Sequence, residues 1–162
     1  MEVIGLDHVY LTVRDFRVSE SFYDRVMLAL GFKKGDKAIA GEAHAHYFNR
    51  CLQISIRPAR SGTPSHDPYT AGLHHLCLQV RTREDVDAVA RVLVDLGVTA
   101  STPRRYPEYN PEYYATFFED PDGIRLEVVA RTSQRDEIVA RWDDLEGFLN
   151  PWQRLRQREG GG

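Results

Sequence analysis

The feature that most constrains this chain is that it reads twice. The run GLDHVYLTV (Gly5 to Val13) resembles GLHHLCLQV (Gly72 to Val80), with His8 and His75 lying 67 positions apart. Each run leads into a stretch with apolar residues at helical spacing. In the first copy these are Phe22, Val26, Met27 and Leu30; in the second, Val86, Val89, Ala90, Leu93 and Leu96. Each stretch stops at a glycine, Gly31 or Gly97, as helices commonly do. Strand-like runs follow, over 33–38, 43–49 and 51–57 in the first half and 99–104, 112–119 and 124–130 in the second. Each half therefore reads βαβββ. The division expected is 1–58 for the first module, 59–71 for a linker rich in Pro, Gly, Ser and Thr, 72–131 for the second module and 132–162 for a C-terminal helix and tail. The fold class expected is α+β, with two four-stranded sheets curling around a cleft and helices outside.

Composition narrows the function classes. Net charge is −3 among 162 residues, which argues against nucleic acid, whose partners need excess positive charge. No apolar run reaches the length of a membrane span, and MEVIGLDHVYLTV has no basic leader. Cys51 and Cys77 sit in no metal-binding spacing. A cytoplasmic protein with free thiols is expected.

Strand side chains alternate faces. Val9, Leu11 and Val13 share one face of the first strand, while His8, Tyr10 and Thr12 share the other. In the second copy Leu76, Leu78 and Val80 stand opposite His75, Cys77 and Gln79. The last strand of the first half sets Leu52, Ile54 and Ile56 against Gln53, Ser55 and Arg57. The last strand of the second sets Ile124, Leu126 and Val128 against Arg125, Glu127 and Val129. The apolar faces are expected to pack on helices. The polar faces then turn His8, Gln53, His75 and Glu127 toward one concavity at equivalent points. Two imidazoles and a carboxylate suit a divalent transition metal, and Gln53 offers a carbonyl oxygen as a fourth ligand.

LDHVYLTV, SESFYDRVMLALGF, GLHHLCLQV and FFEDPDGIRLEVV resemble the recurring motifs of the glyoxalase/bleomycin-resistance/extradiol-dioxygenase superfamily, the vicinal-oxygen-chelate proteins. The likeness spans about Val3 to Ala130. It implies that His8 and His75, the first-strand histidines, and Glu127, at the end of the DPDG-led strand, bind a metal that holds two neighbouring substrate oxygens. The metal implied is one divalent ion: Zn, Ni, Co, Mn or Fe. Where glyoxalase I carries a glutamate this chain has Gln53, so the set resembles the methylmalonyl-CoA epimerase branch. Fosfomycin-resistance thiol transferases share the His, His, Glu trio but carry a threonine where this chain has Tyr10. Members of the superfamily often dimerise, with modules paired within a chain or swapped across subunits, so a homodimer is expected.

The expected activity is that of a metal-dependent lyase, isomerase or epimerase on a small carbonyl-type substrate, with Glu127 as ligand and base. The alternatives are a metal-free sequestering protein of the bleomycin-resistance kind, and a dioxygenase or thiol transferase of the same superfamily. Tyr10, His46, Arg57, Tyr114 and Arg125 are the expected substrate-pocket residues. Tyr109 and Tyr113 belong to the same aromatic run as Tyr114, and Asp36 and Glu42 are candidates for a further base. His74 is expected on the helix-facing side, in a structural role. Ile138, Val139, Trp142 and Leu145 give the tail a short apolar stripe, and Trp142, Phe148 and Trp152 are expected to dock on the body or on a partner subunit.

Overall fold

The computed structural model describes residues 3, 5–36 and 38–144. Its first module contains β1 (His8–Val13), α1 (Phe16–Ala29), β2 (Lys33–Asp36), β3 (Ala45–Phe48) and β4 (Gln53–Pro58). The second contains β5 (Leu76–Val80), α2 (Arg83–Asp95), β6 (Arg104–Arg105), β7 (Tyr114–Glu119) and β8 (Arg125–Ala130). A helix, α3 (Thr132–Ala140), and a 3-10 turn (Trp142–Asp144) follow. The strand orders are β1-β4-β3-β2 and β5-β8-β7-β6, the same order twice. β1 and β4 run parallel, as do β5 and β8, and the remaining pairs are antiparallel. Among the described residues β1 and β5 are both edge strands, and no ladder joins the two sheets.

Each helix starts and stops by the same local chemistry. Asp15 caps α1 by accepting from the Val18 N–H at 3.1 Å. At the matching position Thr82 caps α2 with a reciprocal box: its hydroxyl accepts from Asp85 N–H, and the Asp85 carboxylate accepts from Thr82 N–H. Gly31 and Gly97 have φ of +83° and +74°, a conformation that costs an L side chain but not glycine. That bend lets Phe32 N–H reach Met27 O at 2.9 Å and Val98 N–H reach Leu93 O at 2.8 Å, closing both helices.

The apolar faces pack as their alternation requires. Leu11, Val13, Ile54 and Ile56 meet Phe22, Tyr23, Val26 and Met27 of α1, while Leu126 and Val128 meet Val86 and Leu93 of α2. These residues form one continuous core across both modules. Polar bolts add to it at the DPDG turn between β7 and β8. Asp120 Oδ1 accepts from the backbone N–H of Asp122 and Ile124, shaping the turn. Its Oδ2 accepts from the Tyr23 hydroxyl of α1 at 2.9 Å. Asp122 accepts from both the backbone N–H and the Nε of Arg14, at 3.0 and 2.7 Å, with Ser19 Oγ at 3.4 Å. Arg25 Nη1 donates to Leu96 O at 3.1 Å, where α2 ends. The first module's helix thus grips the second module's hairpin.

Two elements differ from the sequence expectation. The first strand after α2 is ladder-paired only at Arg104–Arg105, not across 99–104. Pro103 has no N–H to donate, and the residues before it bond to β7 by another route. Ser101 N–H donates to Phe117 O, Phe117 N–H donates to Ser101 Oγ, and Thr116 Oγ1 donates to Ser101 O. In the tail, α3 starts at Thr132 and buries Gln134, while Val139 is 74% and Trp142 57% exposed. Of the apolar stripe, Ile138 is half-buried, and Trp142, expected to dock, is mostly exposed in the chain. Leu145, Phe148 and Trp152 lie outside the described residues.

Candidate metal centre

The inner face of the second module carries half of the expected ligand set. Glu127, on β8, is 2% exposed. Its Oε2 lies 3.3 Å from His75 Nε2, and its Oε1 accepts from the Tyr113 hydroxyl at 2.5 Å. Among the described residues no Lys or Arg makes an ion pair with it. A buried carboxylate without a cationic partner bears a large desolvation cost. Cys77 is its Cα partner across β5. Burial, and then the Glu127 carboxylate, push the Cys77 thiol up to about 12, so it stays protonated. Burial and the bond to Glu127 likewise hold the Tyr113 phenol above its ordinary value.

Half of the set sits on the first module. His8 pairs in register with Gln53. Asp7 Oδ2 accepts from His8 Nδ1 at 2.7 Å. A carboxylate can only accept, so Nδ1 carries a proton in this contact. The equivalent neighbour in the second module is His74, whose Nδ1 lies 2.7 Å from His75 Nδ1. His74 is thus exposed and orients His75, instead of packing on the helix side. Both candidate histidines are held through Nδ1 by the residue before them, and His75 turns Nε2 to Glu127.

Register places Gln53 differently from the equivalence read in sequence. Glu127 pairs with Cys77, two residues after His75; the residue in that relation to His8 is Ser55, paired with Tyr10. Gln53 stands one row away. Its amide bonds inside the protein, with Nε2 donating to Ser55 Oγ at 2.6 Å and lying 3.3 Å from His46 Nδ1. Ser55 Oγ in turn is 2.8 Å from His46 Nδ1. Tyr10 stands edge-on to His8, His44 and His46, at ring separations of 5.6, 6.0 and 6.1 Å. Arg57 is paired to Glu42 at 2.5 Å. Tyr10, His46 and Arg57 thus share the first module's inner face with His8 and Gln53. The Asp36 side chain lies outside the described residues.

Two expected pocket residues do not join the centre. Tyr114 turns to the outer face, where its hydroxyl donates to Asp87 of α2 at 2.8 Å. That bond, with burial second, raises its phenol above the ordinary value. The tyrosine that reaches Glu127 is Tyr113, its chain neighbour. Arg125 pairs in register with Glu119 and lines a groove of about 530 Å³ with Phe22 and Arg25.

The two halves are not brought together within one chain. Among the described residues no three His, Cys, Asp or Glu side chains lie close enough to hold a metal. The donors themselves fit one: imidazole nitrogens with oriented Nδ1 atoms and a dry carboxylate are what a borderline divalent cation selects.

Comparison with known proteins agrees with this architecture. Residues 5–128 match the family model described as the Glyoxalase/Bleomycin resistance protein/Dioxygenase superfamily. The metallothiol transferase FosB of Bacillus licheniformis is 28% identical over 78% of this chain and 75% of its own length. An uncharacterised protein of Escherichia coli, YaeR, is 30% identical over 75% of this chain and 92% of its own. Among solved structures, a glyoxylase/bleomycin resistance protein/dioxygenase domain from Frankia sp. EAN1pec superposes with a TM-score of 0.67 at 26% identity, covering 80% of this chain and 98% of that one.

Proposed function

The chain belongs to the Glyoxalase/Bleomycin resistance protein/Dioxygenase superfamily, and from that premise we propose that it is a divalent-metal enzyme of the lyase or isomerase type, acting on a small carbonyl-type substrate. The observation that carries the reading is Glu127, buried to 2% exposure with a phenol and an imidazole against its oxygens. A cation beside such a group offsets the cost of its burial. His8, His75 and Glu127 would hold the ion. When bound, it supplies Lewis acidity to two neighbouring substrate oxygens.

The protein's own groups do the rest. Asp7 and His74 hold the imidazoles in the liganding orientation. Tyr10, with His44 and His46 against it, walls the first module's side of the cleft. Glu127 is the candidate to accept a proton from the carbon beside the carbonyl. Gln53 would offer its Oε1 as a fourth ligand, its Nε2 being held by Ser55 and His46. Because the halves lie apart in one chain, a homodimer would complete the site. His8 of one protomer would face His75 and Glu127 of the partner subunit.

A second reading is a metal-dependent thiol transferase. It is favoured by the His8, His75 and Glu127 trio and by the 28% identity to a metallothiol transferase.

Elemental analysis of wild type and His75→Ala tests the metal. About one transition-metal ion per chain, lost in the variant, is expected. Protein that neither contains nor takes up Zn, Ni, Co, Mn or Fe would remove this reading and leave the sequestering alternative. A carbonyl panel in D2O then separates the two chemistries: deuterium exchange beside the carbonyl marks the lyase or isomerase, and thiol consumption marks the transferase.

A further inference from the structure

The loop between β6 and β7 is built to deliver one hydroxyl. Tyr106 and Tyr113 close it like the base of a hairpin, with Tyr106 N–H donating to Tyr113 O at 2.8 Å. Inside, Tyr109 N–H and Asn110 N–H both donate to Tyr106 O, and Tyr113 N–H donates to Asn110 O at 3.0 Å. The Asn110 side chain accepts from Glu112 N–H at 2.9 Å. The loop is therefore shaped by its own backbone.

Around it the aromatic rings lock Tyr113 in place. Tyr106 and Tyr113 are both buried and pack with Ala115 and Val129 as a small core of their own. Tyr109 meets the Tyr113 ring edge-on at 5.3 Å, and Tyr106 meets it at 6.5 Å. The Arg131 guanidinium lies 5.5 Å from the centre of the same ring. With its ring fixed, Tyr113 has one polar atom to place, and that atom donates to Glu127 Oε1 at 2.5 Å. The second oxygen, Oε2, is the one that faces His75 Nε2 at 3.3 Å. The two oxygens of Glu127 are thus assigned different partners before any cation arrives.

We propose that Tyr113 is a positioning residue for the metal centre: its hydroxyl reserves Glu127 Oε1 and leaves Oε2 alone to ligate, making Glu127 a one-oxygen ligand. The proposal rests on the metal reading above. It gives the aromatic loop a role in the centre, because the ring stack that orients Tyr113 is what presents Oε2 toward His75. It also leaves a coordination position that a two-oxygen carboxylate would occupy, available for a substrate oxygen. Outer partners of this kind commonly change metal affinity by about 10- to 100-fold when removed.

The test is a Co2+ titration of metal-free protein, followed by visible absorption, on wild type, Tyr113→Phe, Tyr109→Phe and His75→Ala. Melting curves accompany each variant. Tyr113→Phe is expected to weaken Co2+ binding by about 10- to 100-fold and to change the absorption envelope of the bound ion. Tyr109→Phe, in the same loop without a bond to Glu127, is expected to change neither. Equal affinity and an identical spectrum in Tyr113→Phe, with binding abolished in His75→Ala, would overturn the proposal and leave the metal reading standing. Wild type that binds no Co2+, or His75→Ala that binds it equally well, would overturn both. A measurement on wild type needs no variant to fold. The infrared difference between Zn2+-loaded and metal-free protein should show the wide carboxylate splitting of one-oxygen ligation; the narrow splitting of two-oxygen ligation would sink the proposal.

Discussion

Replacing Asp120 by asparagine separates two things this residue does. Its Oδ1 shapes the turn by accepting from two backbone N–H groups, which an amide oxygen does equally well. Its Oδ2 accepts from Tyr23, and an amide N–H can donate to that oxygen once the hydroxyl rotates. What asparagine drops is the charge. Burial raises the Asp120 carboxyl above its usual range, against the lowering effect of its hydrogen bonds. A raised carboxyl binds its proton more tightly when folded, so stability is greatest below the unfolded value, about 3.9, and falls as pH rises through the folded one. Asp120→Asn should therefore match or exceed wild type at neutral pH and lack that acid-side fall, as read by urea melts from pH 3 to 7. A variant markedly weaker at pH 7 would show that the carboxylate charge itself stabilises the turn. At this scale the sequence was legible where alternation had contrast. Leu11 and Val13 against His8 and Tyr10 could be sorted by eye. Tyr113 and Tyr114 could not, because both faces of β7 are apolar: Ala115 and Phe117 on one, Phe118 on the other. Only the pairing of Tyr114 with Ala130 fixes which ring looks inward.

Thr82 and Asp15 begin equivalent helices, each with a side-chain oxygen that accepts from an N–H of the first turn. Thr82→Ala removes the acceptor for Asp85 N–H and should cost about 1 kcal/mol, read as a lower urea midpoint with an unchanged slope. No change in midpoint would mean that the helix start is held by core packing alone. Punctuation of this kind was readable, since Gly31 and Gly97 end both helices where expected. The pairing of the segment before Pro103 was not, because it runs through one isolated bridge and the Ser101 side chain and not through a continuous ladder. Register across parallel strands was also hidden. The motifs align His8 with His75, but only the ladders show that Ser55, not Gln53, stands where Glu127 does. Parallel register is set by the core and the crossover helix, which leave no short-range mark.

The edge strands β1 and β5 bear on the assembly of the whole molecule. If each site draws on two chains, mixing His8→Ala with His75→Ala protein and allowing subunits to exchange should restore metal binding at one site in each mixed dimer. If sites formed within single chains, the mixture would stay as inactive as its parts. Inside one chain, the bonds from Asp122 to Arg14 and Ser19 tie the second module's hairpin to the first module's helix. Asp122→Ala should cost about 2 kcal/mol, the scale of a hydrogen bond to a charged group, by urea denaturation; an unchanged midpoint would show the shared apolar core to be enough. The same turn has a bearing on how the protein ages. Asp-Gly pairs in slack chains close slowly to a succinimide, the glycine nitrogen attacking the aspartate carboxyl with loss of water, and reopen largely as isoaspartate. Here the Asp122 carboxyl is held by Arg14, and Gly123 N–H donates to Asp120 O at 3.0 Å. Both reactants are engaged elsewhere while the modules stay docked, so the isoaspartate in an old sample would act as a clock for how long the two halves have spent apart.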